Sequence, residues 1–280
     1  MHITRRLGTL ERPNCSIHYE VTGSCEVTDS GPAIIFAHGL GGNHMSWFQQ
    51  AAHFAKNHTC IAFAHRGFAP SSPIAGGPNP ADYAGDLAAL IAHLELTDVS
   101  VVAQSMGGWT AIEYALTRPP ALKALVLAGT TGTVDPQAIG EPDRARHAAW
   151  LKANAAVPQE LFARGIHPAA GERMAREQPA LHLLYRQIDD QNASLDKESL
   201  RTRLLAGRTR KPEELRAIAC PILFVAGVED VLIPPFAIDA VARVIPNAKV
   251  AHIADAGHSA YFERAAEFNR IVETFLSETR

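Results

Sequence analysis

One serine of this chain stands between an apolar run and a helix, where the stretch by itself reads equally as a helix-capping residue or as a nucleophile. Ser105 lies in Ala103-Gln104-Ser105-Met106-Gly107, between the apolar run of Val99, Val101 and Val102 and a segment with helical spacing. The pattern is a variant of the G-x-S-x-G turn, in which a strand bends sharply into a helix and lifts the hydroxyl above the sheet edge. A serine attacks a carbonyl only when a base removes its proton, and a histidine base needs a carboxylate to fix its tautomer and stabilise its charge. Both residue types recur after later apolar runs, in Gly227-Val228-Glu229-Asp230 and in Gly257-His258. The oxyanion that forms during attack needs two donors. Glycines in His38-Gly39-Leu40-Gly41-Gly42 let backbone approach a ligand, so the backbone N–H groups of Leu40 and Met106 are assigned to the hole. Spacing alone leaves Glu229 and Asp230 both open as the acid.

Such residues need a scaffold that brings strand ends together, and the rest of the chain supplies one. "RRLGTLE" and "CSIHYEVTG" read as two early strands with "CEVTDSGP" as the turn after them. "AIIFAHG", "TCIAFAHRG", "VSVVAQ", "LKALVLAGT", "CPILFVAG" and "AKVAHIAD" read as further strands. Helices are expected over "MSWFQQAAHFAKNH", over "YAGDLAALIAHLEL", from Gly107 to the stop at Pro119-Pro120, over "PFAIDAVARVI", and from Tyr261 to about Leu276. Leu87, Leu90, Ile91 and Leu94 share one face of the second. The alternation predicts an α/β fold with a mostly parallel, doubly wound sheet. It breaks between Thr131 and Ala219, where helical stretches rich in Ala, Arg and Glu contain no strand. The expected organisation is a core of residues 1–130 and 220–280 with a helical cap, 131–219, inserted between two strands.

Composition narrows the function. At 280 residues, 47% hydrophobic and 20% charged, the chain can bury a large core. A net charge of −3 gives no electrostatic reason for nucleic acid or an anionic membrane as partner. Cys15, Cys25, Cys60 and Cys220 form no C-x-x-C pair, and no Cys/His spacing points to a metal. Met1–Arg6 lacks an apolar core, and no apolar run is long enough to span a bilayer. The expectation is a soluble cytoplasmic protein, with oligomeric state left open.

Five motifs in this order resemble the α/β-hydrolase superfamily: HGLGG with Trp47 downstream, HRGFAPSS, AQSMGGW, GVEDVLIPP and AGHSAYFE. The resemblance covers nearly the whole chain and is strongest outside the cap. It implies a catalytic triad of Ser105, Asp230 and His258, because the family places its acid third after the glycine and so favours Asp230 over Glu229. Asp135 lies where some relatives carry the acid, and Asp255 is read as ordering its own loop. Two positions depart from the pattern: Ala103 replaces the first glycine of the turn, and Ala64 precedes His65-Arg66-Gly67 where relatives often carry Asp. His38 is read as supporting the glycine loop, His44 as a solvated loop residue, and Trp47 and Trp109 as core aromatics. The cap arginines, Arg144, Arg164, Arg173, Arg176 and Arg186 among them, are read as solvated helix faces with acidic partners.

The implied activity is a cofactor-free serine hydrolase acting on a small-molecule ester or lactone, with no metal. A C–C hydrolase of vinylogous diketones is the nearest alternative. Those relatives usually place Trp directly after the histidine, where this chain has Ser259. A hydrolase-like ligand receptor is an alternative of another class.

Overall fold

In a computed structural model, residues 3–24 and 32–279 are described. Cys25 and, apart from Pro32, the turn expected over "CEVTDSGP" lie outside them. Eight strands form one sheet: β1 (Ile3–Arg12), β2 (Cys15–Ser24), β3 (Ala33–Ala37), β4 (Thr59–Phe63), β5 (Val99–Gln104), β6 (Leu122–Ala128), β7 (Ile222–Gly227) and β8 (Ala248–Ile253). Their spatial order is β1-β2-β4-β3-β5-β6-β7-β8. The β1–β2 and β2–β4 pairs are antiparallel, and every later pair is parallel.

The central strands read as unbroken apolar runs because both their faces are covered. Successive side chains point to opposite faces, so alternate residues enter different cores. Ile35, Ala37, Val101, Leu125 and Phe224 pack with α2 (Tyr83–His93), α3 (Gly107–Leu116) and α4 (Pro235–Ala242). Ile34, Phe36, Val102, Val126 and Val225 pack with α1 (Phe48–Phe54) and α6 (Ala265–Glu278). The expected first helix is shorter than its apolar spacing implied. His44–Trp47 form a 3-10 turn capped by Asn43, and the α-helix begins only at Phe48. The closing helix is also broken, into α5 (Ala260–Glu263) and α6. At the break, Arg264 Nε donates to Asp255 O at 2.7 Å, and Glu263 Oε2 accepts from Gly257 N–H at 2.8 Å.

Between β6 and β7 the chain is helical: αA (Asp143–Ala153), αB (Val157–Ala163), αC (Gly171–Glu177), αD (Pro179–Asp190) and αE (Lys197–Ala206). Its pairing with strand-like geometry is limited to a bridge between Val134 and Arg210. Among the described residues no helix is long and apolar enough to cross a membrane. Cys15, Cys60 and Cys220 are free and buried.

The turn from β5 to α3 depends on one close approach. A Cβ on Gly107 would lie 2.3 Å from Ala37 O in β3, a backbone atom that cannot swing aside. Gly107→Ala is therefore expected to cost about 3 kcal/mol of stability through overpacking. Urea unfolding would register this as a lower midpoint, whereas an unchanged midpoint would refute the close-packing account.

Candidate active site

The strand-to-helix turn holds Ser105 at φ +49°, in the left-handed region that side chains other than glycine rarely adopt. Ser105 N–H donates to Ala128 O at 3.0 Å, and Ser105 O accepts from Gly108 N–H at 2.8 Å. These bonds at neighbouring atoms keep the turn in place, and strain of this kind persists only where the surroundings enforce it.

Asp230 follows β7 and His258 follows β8, and the two side chains meet. His258 Nδ1 and Asp230 Oδ2 are 2.7 Å apart, with both residues buried. Asp230 Oδ1 accepts from the N–H groups of Leu232 and Ile233 at 2.7 and 2.9 Å. The carboxylate is thereby oriented, and a proton on His258 Nδ1 leaves Nε2 free to act as a base. The Ser105 hydroxyl makes no hydrogen bond to His258 in this structure; catalytic hydrogen bonds are often long before substrate binds. Two contacts tie their neighbourhoods together. Gln104 Nε2 donates to His258 O at 3.3 Å, and a Cβ on Gly129 would touch His258 Nδ1 at 3.3 Å.

The rival acids are elsewhere. Glu229 turns away to Arg173, whose Nε donates to both its oxygens at 3.1 and 2.9 Å, and this hydrogen-bonded pairing lowers the Glu229 pKa. Asp135 caps the short turn Pro136–Ala138 by accepting from Gln137 N–H. Asp255 is exposed, its carboxylate 3.6 Å from Arg173.

The backbone N–H groups of Leu40 and Met106 are aimed by what holds the carbonyls of their own peptide units. Gly39 O accepts from Gly42 N–H at 3.1 Å and from His38 Nδ1 at 2.8 Å. His38 Nε2 accepts from His65 N–H, so the proton is on Nδ1. In a trans peptide the N–H points opposite to the C=O, so pinning Gly39 O directs Leu40 N–H the other way. Gly108 N–H pins Ser105 O in the same sense for Met106 N–H. Among the described residues neither Leu40 N–H nor Met106 N–H has another acceptor. A Cβ on Gly39 would lie 3.1 Å from Ser105 Cβ, which shows how near the two loops approach.

His38 supports the glycine loop, as expected, but His44 corrects the sequence reading. It is buried against His18, with ring centroids 4.8 Å apart, rather than solvated. Burial lowers the pKa of His38 to about 3, that of His44 to about 4, and that of His65 well below its ordinary value. All three are neutral in the folded protein at pH 7 and take up protons on unfolding as pH falls below about 6.5. Because the unfolded chain binds more protons there, stability is full above pH 6.5 and is lost toward the folded values. At pH 5 the loss is about 2 kcal/mol for each of His38 and His44. Urea titrations at pH 7 and pH 5 should show a marked drop in unfolding free energy; equal values would contradict the neutral buried state.

Several supporting residues are given no role by the sequence reading. Gln104, Glu263, Tyr185 and Ser259 are all buried polar groups. Ser259 Oγ donates to Tyr185 on αD at 3.1 Å, and a Cβ on Gly41 would lie 3.2 Å from the Tyr185 hydroxyl. Asn192 Nδ2 adds a bond to Gly42 O at 3.2 Å. The helical segment thus touches both the glycine loop and the histidine loop. Polar residues in apolar runs were the available signal, but their partners lie far away in sequence. Ala64, the departure before His65-Arg66, is fully buried with Phe68, Tyr83 and Met106. The loop is fastened instead by Ser71 Oγ donating to Ala64 O and by Arg66 on Asp86.

A cavity of about 350 Å³ opens beside the site, between αC and the loops of Asp230 and His258, with Arg173, Glu229, Gly257 and Glu263 on its wall. Among the described residues no cluster of three or more His, Cys, Asp or Glu is arranged to hold a metal ion.

Fold and site together define an α/β-hydrolase. Residues 32–265 match the family described as alpha/beta hydrolase fold, and the chain belongs to it. A Mycobacterium tuberculosis protein named "Putative non-heme bromoperoxidase BpoC" is 29% identical over 267 residues, covering 90% of this chain and 96% of that one. A Klebsiella pneumoniae protein named "Putative carbamate hydrolase RutD" is 27% identical over 258 residues, covering 88% and 91%. The structure of a thermophilic esterase from Thermogutta terrifontis superimposes with a TM-score of 0.74 at 25% identity, covering 100% of this chain and 99% of that one. The chain is an enzyme of the α/β-hydrolase class.

Proposed function

We propose that this enzyme is a serine hydrolase that cleaves a carboxylic ester or lactone through an acyl-enzyme. The observation that carries the reading is the buried His258–Asp230 pair, 2.7 Å apart, on strand-end loops shared with the Ser105 turn. Ser105 Oγ attacks the carbonyl carbon while His258 Nε2 takes its proton. Asp230 holds the proton on Nδ1 and stabilises the imidazolium. The oxyanion is met by Leu40 and Met106 N–H, each donor worth about 2.7–4 kcal/mol in the transition state. His258 then protonates the leaving alkoxide, the acyl-enzyme forms, and water activated by His258 releases the acid. Residues 131–219 act as a cap that closes over the acyl group. The esterase among the similar structures supports an ester substrate, and the carbamate hydrolase name of a relative puts carbamates in the same carbonyl chemistry.

The test is a pH-stat assay of esters, lactones, carbamates and one ring-fission diketone, with mass spectrometry of the quenched enzyme. Acid release from an ester or lactone, with the acyl mass on the peptide containing Ser105, supports the reading. Turnover confined to the diketone or the carbamate moves the substrate class. An adduct on another residue removes Ser105 from its role.

A further inference from the structure

The segment leaving αE carries a guanidinium with no hydrogen-bonded carboxylate among the described residues. Other arginines of this region have carboxylate partners: Arg164 has Glu172, Arg173 has Glu229 and Glu177, and Arg210 has Glu113 and Glu214. The Arg208 side chain makes no hydrogen bond or ion pair among the described residues. The residue as a whole is half-buried, and its Nε is the one guanidinium nitrogen fully shut off from solvent without a partner. Its Cζ lies 5.0 Å over the Trp109 ring. Asp135 acts on it only across space, its own carboxylate being engaged by Gln137 N–H.

The backbone around Arg208 is fastened on both sides. Before it, Trp109 Nε1 donates to Leu204 O at 3.0 Å. After it, Arg210 N–H donates to Thr133 O at 2.9 Å and Asp135 N–H to Arg210 O at 2.8 Å. The Arg210 guanidinium grips both oxygens of Glu113 at 3.0 and 2.7 Å. A side chain framed in this way is positioned before a ligand arrives. Burial lowers the pKa of Arg208, and burial together with the Arg208 charge lowers that of the buried His147, so His147 stays neutral and adds no second charge. A desolvated cation without a counter-ion is costly, and an incoming anion relieves that cost.

The location ties this cation to the proposed site. Trp109 stands four residues after Ser105, in the first turn of α3, the helix that the Ser105 turn opens. It shares one apolar cluster with Met106, against which Leu40 also packs. We propose that Arg208 is an anion subsite of the Ser105 site, gripping a carboxylate on the substrate with its guanidinium fork, so that the substrates are acidic esters or lactones. The proposal rests on the serine-hydrolase reading for what happens to the anchored molecule, but the binding of the anion is testable without turnover.

Calorimetry on full-length Ser105→Ala would compare malonate, succinate, glutarate, adipate and suberate, each beside its diamide. At least one dicarboxylate is expected to bind about tenfold or more tightly than its diamide, the strength of a charge-assisted bidentate pair. Adding Arg208→Met removes that preference, and Arg208→Lys keeps part of it. No preference at any length, or a preference that survives Arg208→Met, overturns the subsite. If Arg208→Met fails to fold by circular dichroism, Arg208→Gln takes its place. In parallel, monomethyl and dimethyl esters of the same acids are assayed with the Ser105 enzyme. A dicarboxylate preference without hydrolysis of any ester sinks the hydrolase reading and leaves the subsite standing. Equal kcat/KM for both ester series, unchanged in Arg208→Met, overturns the subsite and leaves the hydrolase.

Discussion

Ser105→Ala is expected to lower kcat/KM for the best ester or lactone by on the order of 10⁴–10⁶-fold while leaving the protein folded. In the proposed mechanism the Ser105 hydroxyl forms the acyl bond and the other members of the site act through it, which makes the expected loss that large. Stability should hardly change, since Ser105 Oγ makes no hydrogen bond among the described residues and alanine keeps the same backbone geometry. Ser105→Gly separates the two roles of the position. It removes the nucleophile equally, and it also relieves a backbone held at φ +49°, so its unfolding free energy should rise by a few tenths to about 1 kcal/mol. Steady-state kinetics and urea unfolding on both variants check this. Retained activity in Ser105→Ala would mean another nucleophile, and a destabilised Ser105→Gly would mean that the turn is not strained.

Asp230→Asn should cost about 10⁴-fold in kcat with the fold intact. Asparagine can still accept from Leu232 and Ile233 N–H through its carbonyl oxygen, so the loop after β7 keeps its bonds. Its NH2 group would then face His258 Nδ1, where the carboxylate now accepts. That donor stabilises the tautomer with the proton on Nε2, which cannot take a proton from Ser105. Glu229→Gln is the matched control, because Glu229 sits one residue away and pairs with Arg173 at the surface. It should lose no more than a few tenths to 1 kcal/mol of stability and almost no activity. Comparable losses in both variants would mean that the acid has been assigned to the wrong carboxylate.

Much of this arrangement was legible before any coordinates. Apolar runs of five to seven residues between helical segments read as parallel strands because strands covered on both faces need no polar alternation. The candidate residues followed from those strands, since the ends of β5, β7 and β8 are where a parallel sheet exposes loops. His38 was legible as loop support because it stands at a strand end before three glycines. Boundaries were less legible. The first helix was expected from Met45, yet Asn43 caps a 3-10 turn there. The closing helix was expected unbroken, and two bonds from the loop preceding His258 divide it at Arg264.

The succession of strands and helices along the chain and the place of Ser105 at a strand-to-helix turn were decided by sequence alone, because periodicity and turn chemistry act over a few residues. The family was legible through the resemblance of five motifs, and the spatial order of the strands came from the structure. Which groups face each other was decided by the tertiary structure. Glu229 and Asp230 are neighbours of like chemistry, and only the position of Arg173, 56 residues away, takes one out to the surface while His258 takes the other. His44 is a polar residue in a loop by sequence, yet the packing of His18 from β2 makes it a neutral core group. Arg208 is one arginine among many in an Ala-rich helical stretch. It becomes distinct only when Trp109 covers it and every nearby carboxylate is found to be engaged by another donor or held off at a distance. Long-range pairing of this kind depends on how separate elements are packed, which no local pattern in the chain encodes.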